Sequence, residues 1–286
     1  MTCTTARMRG FTLLELVIVI AITSIIAVAT IGFIAQPIEG YLGLSRRAQL
    51  VDSAETALRR MSRESRLAVP NTVRVDATGR AMEFLRMLDA GRYRTQLDSG
   101  GAGDPLDFTT NRDSFDVLGP LTNWSRIVAG GGGRADCLDA SADCVVVYNT
   151  GQVGANVYTG DNIAAIEAAG PTSITFNNSD VAGWRFPFAS PSQRFYVVDT
   201  PVAFICDLGT GLLTRYQGYT IAAAVPGPGS PPGGASAPLV NGVTACTFSY
   251  NQGTATRGGL VTLAITLTDQ GESVSLLLQS HVPNSP

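Results

Sequence analysis

Hydrophobic and polar positions divide this chain into three regimes. From Leu13 to Ala35 almost every position is apolar. From Gln36 to about Ala68, Val51, Ala54, Leu58, Met61, Ser65 and Ala68 recur three and four residues apart, the spacing of one helix face. From Asn71 the period falls to two, the mark of strands. One long helix is therefore expected, continuous to Pro70, followed by a β-rich head. Gly32, Pro37, Gly40 and Gly43 are weak helix formers and predict a bend or loosened turn near Pro37. Glu55 and Arg59 stand four apart in the favourable order for an ion pair.

The period-two segments predict strands at Val73–Val75, Ala81–Met87, Val145–Asn149, Ser173–Phe176, Arg194–Asp199, Ala203–Asp207, Leu212–Tyr216, Tyr219–Ala224, Thr244–Tyr250, Leu260–Thr268 and Ser273–His281. Asp269-Gln270-Gly271-Glu272 turns the last two into a hairpin, which is expected at or near the centre of the sheet. Asp89–Pro120 and the Pro/Gly-rich Pro226–Pro238 are expected to be loops. The small Ala/Ser face of the second helical half is suited to packing under the sheet. The predicted class is α+β: a long N-terminal helix on an antiparallel β-sheet head.

Leu13–Ala35 would form roughly 34 Å of helix, enough to cross a bilayer. The hydroxyls of Thr23, Ser24 and Thr30 can bond back to helix carbonyls. The basic stretch before it carries Arg7 and Arg9 and ends in Gly10. These arginines favour a cytoplasmic N-terminus, but Arg46 and Arg47 put equal charge beyond the span. Glu15 is a carboxylate inside apolar sequence, which costs roughly 2.5–3.5 kcal/mol on insertion scales and marks function. It either sits solvated at the interface or meets a positive partner.

The segment Arg9-Gly10-Phe11-Thr12-Leu13-Leu14-Glu15-Leu16 resembles the class III signal of type IV prepilins and type II secretion pseudopilins. The resemblance implies cleavage after Gly10 by a prepilin peptidase on the cytoplasmic face and N-methylation of Phe11. It also implies pairing of Glu15 with the new terminal ammonium of a neighbouring subunit. It divides the chain into a leader (1–10), a transmembrane and filament-core helix (11–35), an amphipathic continuation (36–69) and a periplasmic or extracellular head (70–286). The implied partners are other pilins, the peptidase, an inner-membrane assembly platform and the lipid bilayer. The implied location is the bacterial inner membrane, single-pass with the N-terminus inside, before assembly into a filament. The large head, the Arg-rich helix and four head cysteines look most like the MshO-type minor subunit of mannose-sensitive haemagglutinin (MSHA) pili. The pseudopilin J type is the rival.

Composition adds bounds. Charged residues make up 15% of 286, the formal net charge is −3, and every basic side chain is arginine. No basic patch for nucleic acid stands out in the head. Of five cysteines, Cys3 falls in the leader. The remaining four allow three pairings, of which the local one, Cys137–Cys144 with Cys206–Cys246, is expected. A zinc site is disfavoured because no CxxC occurs and the chain has one histidine, His281. No cofactor is expected.

GxSxG, P-loop, HExxH and EF-hand patterns do not occur, so no enzyme is expected. Gly130–Gly133 reads as a loop without the Lys-Ser/Thr of a phosphate cradle. Asp136, Asp139 and Asp143 form either a solvated turn or a weak calcium loop. Trp124, Trp184, Phe186 and Phe188 are core and lip residues or, in a membrane-anchored adhesin, a ligand surface.

Overall fold

A computed structural model describes residues 10–177, 181–254 and 257–284, with backbone only for residues 31–39. Expectations at Cys3, Arg7 and Arg9 lie outside the described residues. The chain divides after Gln49 into two units. Helix α1, Leu13–Ser65, supplies the described first unit and opens the second. It runs unbroken through Pro37, against the loosened turn expected there. One missing N–H removes a single rung, and the neighbouring rungs carry the helix past it.

The strands are β1 (Arg74–Val75), β2 (Ala81–Arg92), β3 (Ser114–Asp116), β4 (Cys144–Val147), β5 (Ile163–Ala169), β6 (Ser173–Asn177), β7 (Arg194–Asp207), β8 (Leu212–Gln217), β9 (Ala235–Val240), β10 (Val243–Asn251), β11 (Gly259–Asp269) and β12 (Glu272–Val282), with a short helix α2 (Arg134–Leu138) before β4. All pairings are antiparallel. Nine strands form one sheet in the order β1-β2-β7-β4-β5-β6-β3, with β8 also on β7 and β9 on β8. β10-β11-β12 form a second sheet.

The long β7 joins two segments that the sequence splits at Thr200-Pro201. On one side it keeps β2; on the other it pairs β4 up to Val198 and β8 from Val202. Pro201 falls where the second neighbour changes, so its missing N–H has no rung to break there. One core lies among α1 (Ala54, Ala57, Leu58, Met61), β2 and β7 (Phe84, Phe204), and the inward face of the three-stranded sheet. Each large side chain buried there contributes about 1.5–3 kcal/mol. The inward face is set by the alternation in β11, where Val261, Leu263, Ile265 and Leu267 are buried and the residues between them are less so. A second core around Tyr93, Phe115, Phe176 and Phe195 fills the other wing of the large sheet.

Several expectations are corrected. The helix ends at Ser65, and Ala68 and Val69 instead meet β2, where the Val69 N–H donates to Leu85 O at 2.9 Å. Tyr219–Ala224 is not a strand. The carbonyls of Ala222, Ala223 and Ala224 accept from the Arg74 guanidinium at 2.6–3.1 Å, and the Tyr219 hydroxyl donates to the Glu83 carboxylate at 2.9 Å. The Ile221 N–H donates to Leu138 O at 2.6 Å, so the segment's backbone groups are taken up by Arg74 and by α2 and not by a strand ladder. The Pro226–Pro238 stretch contributes its end to β9, where Pro238 opposes Thr214 on an edge strand that tolerates proline. The expected loop Asp89–Pro120 yields the end of β2 and the short β3. β5, an Ala-rich strand, has no counterpart among the expected ones. The final hairpin is not central to the large sheet. It belongs to the separate sheet, with β12 at an edge.

Candidate assembly and processing segment

The N-terminal segment is built on a helix start. Thr12 precedes α1, and its Oγ1 accepts the Glu15 N–H at 3.2 Å, while Thr12 O accepts the Leu16 N–H at 3.2 Å. Thr12 is therefore the N-cap, and Glu15 stands in the first turn, where the positive end of the helix dipole favours a carboxylate. The signal was present in the sequence: Thr12-Leu13-Leu14-Glu15 has the T-x-x-E spacing of a capping box. Glu15 thus has a local reason to exist beside any intermolecular one.

Gly10 lies two residues before that cap. A Cβ added there meets nothing within 4 Å, and its backbone is not in the left-handed region. Gly91 is the contrast, where a Cβ would come within 2.8 Å of the Phe195 ring. The fold therefore requires glycine at 91 and makes no such demand at 10.

After Phe11, 77% exposed, the side chains of Leu13–Thr30 are exposed throughout. This stretch is long and apolar enough to cross a membrane. Thr23, Ser24 and Thr30 each donate to the carbonyl four residues back, at 2.7 Å, which removes unsatisfied hydroxyls from an apolar surface. An exposed apolar surface of this size calls for lipid or neighbouring helices.

The other residues singled out by sequence fall elsewhere. Cys137 and Cys144 are joined, tying α2 to β4 across Cα atoms 5.7 Å apart. Cys206 and Cys246 are joined, tying β7 to β10 and so one sheet to the other, at 6.6 Å. Around the first bridge, Asp136 accepts the Gly132 N–H at 2.6 Å and Asp139 the Ser141 N–H at 3.0 Å. Asp143 is buried, not solvated; it accepts the Val128 N–H at 2.8 Å, and burial pushes its carboxyl up to about 6. Among the described residues no group of three or more His, Cys, Asp or Glu could hold a metal ion. Trp124 and Phe188 are exposed, Phe186 is core, and Trp184 packs edge-on against Phe186 at 4.8 Å. His281 is exposed near the end of β12, opposite Leu260.

Residues 5–31 match the prokaryotic N-terminal methylation motif. No curated protein and no solved structure matches the chain. The motif, the apolar helix and the antiparallel head are consistent with a type IV pilin-like fold, and the motif points to a membrane-anchored structural subunit. Proteins with this motif assemble with other pilin-like subunits after prepilin peptidase processing.

Proposed function

We propose that the chain is a minor pilin, cut after Gly10, methylated on Phe11, and used to assemble, prime or cap an MSHA-like type IV pilus that supports surface attachment. Before assembly the chain spans the inner membrane with its N-terminus in the cytoplasm and its head in the periplasm. The observation that carries this reading is the methylation motif over residues 5–31, which brings together an open Gly10, an exposed Phe11 and a capped helix start holding Glu15. Cleavage creates an ammonium on Phe11, one turn from Glu15. In a filament, the carboxylate of one subunit meets the terminus of the next. Two unit charges 4 Å apart at an effective dielectric near 20 attract by about 4 kcal/mol, enough to set register.

The test is Gly10→Ser. The fold has room for the side chain, so a block in processing reports on the peptidase. A mature-sized band from that variant contradicts the proposal. A type II secretion minor pseudopilin would share the N-terminal chemistry. Loss of surface pili on deletion of the gene, with secretion intact, favours the pilus; the reverse favours the pseudopilin.

One observation supports a ligand-binding head as a second reading. A cleft of about 440 Å³ is lined by Trp184 with Asn111, Asp113 and Glu167 among its polar neighbours. Glycan binding lost on Trp184→Ala would support it, and a blank glycan array would remove it.

A further inference from the structure

The three-stranded sheet has two unlike edges. Along β10, the Phe248 N–H donates to Gly79 O at 2.7 Å and the Val243 N–H to Gly211 O at 3.0 Å, so neighbouring turns cover that edge. Along β12, all eleven residues pair β11 on one side, and among the described residues no strand pairs the other. A sheet edge of this length is usually guarded by lysine, proline, a bulge or an inward charge. β12 has none of these. Its sequence, Glu-Ser-Val-Ser-Leu-Leu-Leu-Gln-Ser-His-Val, reads as an interior strand, and Leu277 is 64% exposed.

The open edge borders a groove of about 700 Å³ between β12 and the last turns of α1. Leu58, Leu276 and Leu278 give it apolar walls, and Arg63 and Arg66 give it a basic rim. The acidic residue in the lining, Glu55, is already paired with Arg59. Arg66 donates to Ser280 Oγ of β12 at 3.2 Å, which fixes one guanidinium at the strand.

We propose that this groove receives an extended segment of a partner protein, which adds to β12 as a further antiparallel or parallel strand and carries acidic side chains towards the arginine rim. Main-chain hydrogen bonds to the free edge supply affinity; every second guest side chain points inward to the groove and its arginines, and those between lie on the outer face beside Leu277. A second copy of this chain is a poor guest. Symmetric β12–β12 pairing would bring two identical arginine rims together, and like charges at such an edge repel. The proposal is independent of the N-terminal processing reading.

The test uses the full chain in detergent micelles and an end-blocked nonapeptide alternating valine and aspartate. Amide hydrogen exchange across Val274–Ser280 is followed as peptide is added to about 1 mM, where a site with a Kd of about 1 mM is half filled. The expected result is slowed exchange confined to β12, absent with the lysine-for-aspartate peptide and with a peptide N-methylated at alternate residues. Arg63→Ala, a good helix former on an exposed turn, should weaken the aspartate peptide by about threefold to tenfold. Absence of β12 protection at the highest concentration overturns the proposal. So does equal protection by the lysine or N-methylated peptide, or protection of the same amides by self-association without any peptide.

Discussion

Glu64 fastens α1 to the head, and removing it should cost far more than removing its surface neighbours. Its Oε2 accepts from Arg215 Nε of β8 at 2.7 Å, and its Oε1 from Arg60 at 3.0 Å. The two side chains of the Glu64–Arg215 pair are 12% and 7% exposed, so the pair is almost dry. Arg215 also donates to Gln217 at 2.6 Å, which satisfies one guanidinium nitrogen but supplies no charge. Breaking a buried pair on one side typically costs about 3–5 kcal/mol, because the remaining charge is stranded. The retained Gln217 bond argues for the lower end, about 3 kcal/mol, for Glu64→Ala. With a urea slope of about 3 kcal/mol/M, the unfolding midpoint of the full chain in detergent should fall by about 1 M. Glu55→Ala, which breaks an exposed pair on the same helix, should shift the midpoint by no more than about 0.3 M. Replacing both partners, Glu64→Gln with Arg215→Met, should recover most of the loss, since no stranded charge remains. If Glu64→Ala unfolds with Glu55→Ala, the pair does not anchor the helix and the argument fails.

Other outcomes follow from the same structure. Asp143 holds its proton up to about pH 6 in the fold because of burial, whereas an unfolded aspartate loses it near 3.8. Its contribution is therefore full below that lower value and is lost as pH rises to about 6, a change of at most about 3 kcal/mol and less where solvent screens the group. Asp143→Asn should flatten that part of the stability–pH curve, and an unchanged curve would refute the assignment. Replacing Cys206 and Cys246 by serine opens a closure 40 residues long between the two sheets and should cost about 4 kcal/mol, read as a lower melting temperature. Thr12→Ala should cost about 1 kcal/mol of helix stability, measured as fraying at Leu13–Leu16 by amide exchange, while leaving assembly in place. Glu15→Gln removes the carboxylate charge while the backbone N–H can still donate to Thr12 Oγ1, so normal filament incorporation of this variant would remove the charge-pairing role.

What was legible in the sequence follows what is local. The alternation of Leu260–Thr268 set the face of β11, and the recurrence of Ala54, Leu58 and Met61 set the buried side of α1. Helical spacing does not reveal the role of Glu64, because its partner Arg215 lies 151 residues away. The same holds for Tyr219–Ala224, whose apolar look suggested a strand until Arg74 took its carbonyls. β12 misled in the opposite sense. Leu276–Leu278 describe an interior strand, and no local pattern reveals which strand will be left at an edge. At the N-terminal segment, Gly10, Phe11 and Glu15 stand out by chemistry, whereas the role of Thr12 lies in the acceptance of the Glu15 N–H by its hydroxyl, which only the folded helix start displays.

The central claim concerns a covalent event, so the most direct measurement is the mass of the native protein's first peptide. The account predicts a chain starting at Phe11 and carrying one methyl group on its terminal nitrogen. A native chain that retains the residues before Gly10, with no trimmed and methylated species, would contradict it.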